Sequence, residues 1–323
     1  MTISNFKAKV DLTGLAAPEE KAKKMYNAGY RFVGRHSAIK ICEWTREAIR
    51  GKKVCYKCQF YGIETHRCIQ MSPVVFHCDF NCMHCWRSLN FSLPPKNMKW
   101  DPPEVILDGC IEEQRNILKG FWGSITDKKK LKEAENPNQI AISLSGEPTL
   151  YPYLPEFIDL AKERGFSVYL VTNGCHPEMI EKLKGHEPTN LYMTLPAPNK
   201  EQYMKECVPI IKDGWERIMK TLGMMKDMKT RTVIRLTLNR KHNMMNAEEY
   251  GKMLDKSGAT FVECKAFMAV GGAREKMGVD AMPLHKEIRE FAEQIEKHSS
   301  YKIKDEKKDS RVVLLENNKK AKS

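Results

Sequence analysis

Val74-Val75-Phe76-His77-Cys78-Asp79-Phe80-Asn81-Cys82-Met83-His84-Cys85 is the stretch on which the reading of this chain turns. It opens as a short apolar run, residues 74–76, with the character of a buried strand. It closes on three cysteines spaced C-x3-C-x2-C. A strand that feeds a loop of closely spaced thiols predicts a metal site, because thiolates hold iron–sulfur clusters and structural zinc. Three thiolates suffice for three irons of a four-iron cluster and leave the fourth iron open to a small molecule.

Downstream, the pattern alternates. Helical spacing of apolar residues is found at 102–118, 154–163, 177–184, 215–228, 247–257 and 284–298. Short strand-like runs occupy 139–144, 166–171, 191–195, 231–238, 261–267 and 311–315. Strands separated by single helices pair in parallel through right-handed crossovers. Six or seven such units predict an α/β fold built as a partial (β/α)6 TIM-like barrel, with an open doubly wound sheet as the alternative. In either architecture the chemistry gathers at the carboxyl ends of the strands. Two strand-end turns stand there: Ser145-Gly146-Glu147 after the run at 139–144, and Thr172-Asn173-Gly174 after the run at 166–171.

Upstream, residues 1–72 are polar and basic, with helices expected at 17–29 and 37–50. The expected organisation is an N-terminal cysteine-rich extension (1–72), the barrel (73–315) and a basic, disordered tail (316–323). Seven of the eleven cysteines lie between Cys42 and Cys85. Cys42, Cys55 and Cys68 are evenly spaced, with twelve residues between neighbours, and Cys58 breaks the regularity. Even wide spacing is unusual for zinc, which is held by close pairs. It leaves open a second iron–sulfur cluster or a zinc site made by Cys42, Cys55, Cys58 and Cys68. The isolated Cys110, Cys175, Cys207 and Cys264 read as small buried hydrophobes.

Composition narrows the function classes. Of 323 residues, 41% are hydrophobic, enough for a sizeable core. No apolar run is long enough to span a bilayer, and the N-terminus has no signal-peptide core. Eleven cysteines without secretory features point to a reducing, cytoplasmic setting and to metal or redox chemistry. Lys plus Arg number 54 against 41 Asp plus Glu, a net charge of +13. That excess favours a polyanionic partner, nucleic acid first. The basic runs are 46–53, 128–132 and 235–242.

The Cys78, Cys82 and Cys85 triplet resembles the signature of the radical S-adenosylmethionine (SAM) family. The resemblance implies a [4Fe-4S] cluster, SAM as cofactor, and one-electron cleavage to a 5′-deoxyadenosyl radical. It also implies cofactor contacts from Phe80, from Trp86 near the adenine, from Ser145, Gly146 and Glu147 near the methionine amino group, and from Thr172 and Asn173. Over most of the chain, including residues 143–151, 171–174, 195–203 and 262–274, the sequence resembles the tRNA 4-demethylwyosine synthases, the wyosine-base branch of that family. That resemblance implies a second [4Fe-4S] cluster on Cys42, Cys55 and Cys68. It further implies a Schiff base between pyruvate and Lys57, two residues after the middle cysteine. Lysine attacks a keto group only when neutral, so its pKa must be lowered by burial or nearby cations.

The implied reaction joins N1-methylguanosine, beside the anticodon of tRNA-Phe, with two carbons of pyruvate to close a third ring. The deoxyadenosyl radical takes hydrogen from the methyl group, the methylene radical adds to C2 of pyruvate, and the carboxylate is lost. Eukaryotic members carry a flavodoxin-like domain ahead of the cysteines, and only 41 residues precede Cys42. The stand-alone archaeal form is therefore expected: a monomer served by an external flavodoxin- or ferredoxin-type electron donor. Two rivals stay open on sequence grounds. One is a radical SAM enzyme with another substrate, such as an activating enzyme; the other is a zinc-ribbon RNA-binding protein without turnover.

Overall fold

The structure, a computed structural model, describes residues 14–87, 90–124 and 126–318. Its frame is one ten-stranded sheet. The strands are β1 (Arg31–Val33), β2 (Ser37–Ile39), β3 (Cys68–Ser72), β4 (Gln139–Ile142), β5 (Ser167–Thr172), β6 (Asn190–Thr194), β7 (Arg231–Leu238), β8 (Phe261–Ala266), β9 (Tyr301–Lys307) and β10 (Val312–Asn317). They are ordered β1-β2-β3-β4-β5-β6-β7-β8-β10-β9. The six strands β3 to β8 are all parallel. They form the expected partial (β/α)6 barrel, extended by antiparallel strands at both edges. Among the described residues β1 and β9 do not pair, so the barrel stays open.

The core follows from strand alternation. Ile140, Ile142, Val168, Leu170, Leu191, Met193, Ile234, Leu236, Val262 and Cys264 face the helical layer and are buried there. On the concave face, Ala141, Tyr169, Tyr192, Val233, Phe261 and Leu314 form a separate cluster. With both faces covered, the parallel strands read as continuous apolar runs, as buried parallel sheets do.

Two sequence expectations need correction. Residues 74–76 are not a strand; the first parallel strand is β3, which begins at Cys68. Pro73 has no amide hydrogen and ends the ladder. Residues 74–76 are all buried: Val74 in the main core, and Val75 and Phe76 against Met25, Tyr30 and Ala38 of the N-terminal segment. Nor is 37–50 one helix. Ser37–Ile39 pairs with β3, and the helix is confined to Glu43–Ile49, with Cys42 at its N-cap. The expected boundary at residue 72 therefore falls inside a continuous sheet, between its first parallel strand and the cysteine loop. At the other end, Glu316 and Asn317 belong to β10 rather than to a tail, and residues 319–323 lie outside the described residues.

The helix Tyr56–Tyr61 matters most for the site. It lies on the concave face, where Cys58, Phe60 and Tyr61 pack against the Tyr169 and Tyr192 cluster. This part of the cysteine-rich extension thus occupies the inside of the half-barrel.

Candidate active site

The loop after β3 carries Cys78, Cys82 and Cys85, each partly buried. Its backbone is tied down on several sides. The Asn81 side chain accepts from Phe91 N at 2.7 Å. Asn81 N and Met83 N donate to the carbonyls of Val208 and Glu206, and Ile210 N donates to the Asp79 carbonyl. From the segment after β8, Gly272 N donates to Trp86 O and Lys276 Nζ donates to Cys82 O. The thiols lie within charge range of one another. Cys78 is held well above the usual thiol value by burial first, then by Glu147 and Cys82. Cys82 is raised by the hydrogen bond its thiol donates to Cys207, then by burial. Mutually repelling buried thiols are the donor set that a cationic cluster relieves, so the residues fit an iron–sulfur cluster.

The two strand-end turns meet this loop. Ser145 Oγ donates to Val75 O at 3.1 Å, and Glu147 N donates to His77 O at 2.9 Å. Gly146 has φ +67°, and a Cβ there would lie 1.8 Å from Val74 O and 2.5 Å from His77 O. The loop therefore rests directly on glycine backbone. Glu147 is buried: Thr149 N (3.1 Å) and the hydroxyls of Thr149 and Thr172 donate to Oε1, and Asn173 N (2.8 Å) to Oε2. It couples the two turns. Oε2, with one donor, keeps a lone pair for a further one. Asn173 Nδ2 donates to Asp79 at 3.0 Å and lies 3.9 Å from Cys78 Sγ.

Phe80 and Trp86 part company. Phe80 is buried against Tyr203, with ring centroids 5.7 Å apart. It lines a small cavity with Cys82, His84, Asn173, Thr194, Pro196 and Cys207, at the carboxyl ends of β5 and β6. Trp86 lines a different cleft, stacked between Arg87 (4.3 Å) and Lys40 (5.2 Å). The two aromatic residues therefore do not share one pocket.

Cys42, Cys55 and Cys68 also converge. Cys42 and Cys55 occupy the N-caps of two short helices, and Cys68 is the first residue of β3. Each is raised chiefly by burial, Cys55 to about 11 and Cys68 to about 12; Cys42 raises both, and Lys57 lowers all three. Lys57 stands beside them, its Nζ 5.0 Å and 4.8 Å from the ring centres of Tyr169 and Tyr192. Burial, then Arg235, hold its amine below the ordinary lysine value. Cys58, on the same helix, packs with the aromatic cluster.

Several groups in this chamber have no local signal in the sequence. Glu263 on β8 accepts from Tyr56 (3.1 Å), Tyr61 (2.8 Å), Tyr192 (3.2 Å) and Arg235 (2.7 Å). Burial alone would raise this carboxyl; Arg235 and Lys57 more than offset it. Lys265, two residues on, donates to Ser310 O at 2.8 Å, and burial followed by Arg235 brings it to about 8. Near the other triplet, buried Glu206 joins His84 (2.6 Å) to His242 (2.8 Å). Cys207, expected to be inert, is the partner of Cys82.

The chain matches two family models. "Radical SAM superfamily" covers residues 72–254 and "Wyosine base formation" covers 256–317. It is 45% identical over 303 residues to the S-adenosyl-L-methionine-dependent tRNA 4-demethylwyosine synthase of Pyrococcus abyssi, covering 92% of this chain and 89% of the relative. The chain belongs to the tRNA 4-demethylwyosine synthases. To the Methanocaldococcus jannaschii synthase it is 40% identical, covering 93% and 96%. To the human one it is 33% identical over 89% of this chain and 39% of that protein. Among solved structures, "Structure of TYW1 with a lysine-pyruvate adduct bound" superposes with TM-score 0.86 at 39% identity, covering 94% of this chain and 97% of the other. "Crystal structure of archaeal TYW1" gives 0.78 at 37%, with the same coverage. Membership in this synthase family brings an iron–sulfur cluster and SAM and removes the zinc-ribbon reading. No described helix is long and apolar enough to cross a membrane.

Proposed function

We propose that this synthase condenses N1-methylguanosine of tRNA-Phe with pyruvate to form 4-demethylwyosine, acting as a monomer with an external flavodoxin- or ferredoxin-type donor. The observation that carries the reading is the placement of Lys57 beside the Cys42, Cys55 and Cys68 triad, inside the half-barrel whose strand ends carry the Cys78 loop. An activating enzyme needs neither that triad nor a buried amine.

Cys78, Cys82 and Cys85 would hold a [4Fe-4S] cluster which, with SAM bound, supplies the deoxyadenosyl radical. Gly146 lets the loop sit flush on the β4 turn, and Glu147 locks Thr172 and Asn173 against it. Phe80 lines the cavity at the carboxyl ends of β5 and β6, and Trp86 the neighbouring cleft.

Cys42, Cys55 and Cys68 would hold a second cluster. Lys57, its proton affinity lowered by burial and Arg235, attacks the keto carbon of pyruvate and releases water to give a Schiff base. The guanine exocyclic amine then displaces the lysine as the new ring closes. The TYW1 structure described with a lysine–pyruvate adduct, 39% identical to this chain, supports that role. Two sites on one rigid sheet hold two small reactants in register, which is where most of the rate advantage of such a device lies.

The test is mass spectrometry of digested tRNA after anaerobic turnover. The tricyclic base should form with SAM, pyruvate and N1-methylated tRNA together, and disappear when any one is omitted. Lys57→Ala should lose borohydride-trapped pyruvate and at least about 100-fold in turnover, the scale of removing a covalent nucleophile. Trapped pyruvate persisting in that variant would overturn the assignment.

A further inference from the structure

In two of the basic runs that the sequence offers for RNA, 46–53 and 235–242, most cations are paired within the fold. Arg235 is bound to Glu263, Lys241 to Asp280 and His242 to Glu206. Arg240 pairs with Glu287, Arg50 with Glu47, and Lys53 with Asp309. In 128–132, Lys130 faces Asp127 at 3.9 Å.

One group of cations is treated differently. A cleft between the helix Glu19–Asn27, the end of β2 and the cysteine loop is lined by Lys24, Met25, Tyr30, Lys40, Trp86 and Arg87. Among the described residues no carboxylate pairs with Lys24, Lys40 or Arg87. Lys40 Nζ has only rings beside it, Tyr30 at 5.1 Å and Trp86 at 5.2 Å. Arg87 donates to Ser143 O at 3.0 Å, while its buried Nε–H has no acceptor. A buried donor without an acceptor is costly, and crowded like charges add to that cost, so the arrangement suits an anion from outside.

The walls narrow the choice of anion. Partly exposed Trp86, with the Arg87 guanidinium stacked on it at 4.3 Å, offers a surface for a planar base, and buried Tyr30 backs it. Single-stranded RNA is read in this way, by stacking plus cations on its phosphates. A small carboxylate would use the cations but leave the Trp86 ring idle. The cleft also adjoins the radical site, since Trp86 follows Cys85 directly.

We propose that this cleft is a nucleotide-binding site, in which Lys24, Lys40 and Arg87 hold a phosphodiester of the RNA substrate while Trp86 receives an unstacked base next to the one being modified. The inference rests on the RNA-modifying role proposed above.

The test uses reconstituted holoenzyme, a fluorescein-labelled anticodon stem-loop of tRNA-Phe, and anisotropy titrations over a range of salt. Lys24→Gln and Lys40→Gln should each weaken binding about 3- to 10-fold at low salt. Each should also make the dependence of log affinity on log salt shallower, by about 0.7 for every phosphate no longer neutralised. Lys24 is exposed on its helix, so that variant leaves the fold intact; iron content checks both. Wild-type affinity and slope in both variants would overturn the site while leaving the function standing. A fall in SAM affinity with RNA binding unchanged would also overturn it, and assign the cations to the cofactor carboxylate. Wild-type enzyme that fails to bind the stem-loop would sink the RNA reading and this site with it.

Discussion

Gly146 shows how a single residue can carry a site it does not chemically serve. Its φ of +67° is left-handed, and the Val74 and His77 carbonyls occupy the space a side chain would need. Gly165 has a similar φ of +80° but nothing within 4 Å of a built Cβ. Gly165→Ala should therefore cost only the backbone penalty of about 1–2 kcal/mol. Gly146→Ala adds a clash of backbone on backbone and should cost at least about 3 kcal/mol, with loss of iron from the Cys78 triplet. Thermal melting and iron analysis of the two variants separate these outcomes. Glu147 makes a related point. The sequence places a carboxylate at a strand end, but not the four donors that hold it across two turns.

Elements with a weak signal in sequence do much of the positioning. The six-residue helix Tyr56–Tyr61 has too few turns for a readable period, yet it presents Lys57 and hangs by two tyrosines on Glu263, more than 200 residues away. Around β2, Ile39, Ile41, Trp44 and Ala48 fit helical spacing, but strand pairing with β3 overrides it. His36, just before β2, clamps the cysteine loop. Its ring is buried, Nδ1–H donates to Pro73 O at 2.6 Å, and Nε2 accepts from Asp101 N at 2.8 Å. Burial is the main reason its pKa lies below 6.5, outweighing the Pro73 bond and Asp101. The unfolded chain thus binds a proton near 6.5 that the folded ring refuses. Stability should be unaffected by this group above pH 6.5 and should fall as pH drops below it. His36→Gln should flatten that part of a melting-temperature profile between pH 7 and 5; an unchanged profile would show that the clamp is not the titrating element.

At the scale of the whole molecule, two thiol triads share one sheet, one at the carboxyl ends of its strands and one on its concave face. Anaerobic reconstitution should give about eight irons per chain. Replacing Cys42, Cys55 and Cys68 together by alanine should leave about four, with SAM cleavage retained and product lost. Iron near four in the wild type would contradict a second cluster.

Local spacing determined a good deal by itself. C-x3-C-x2-C, the alternation of strands and helices, and the turns at Ser145 and Thr172 depend on neighbours in sequence, so the parallel barrel and its first thiol site were legible. Only the tertiary structure decided the rest. It put Phe80 and Trp86 on separate cavities, carried the helix Tyr56–Tyr61 onto the concave face, and brought Glu263, Arg235 and Lys265 to Lys57. The last are approaches between residues as much as 200 positions apart and more, made by which face of which strand they occupy, and no run of neighbouring residues encodes them.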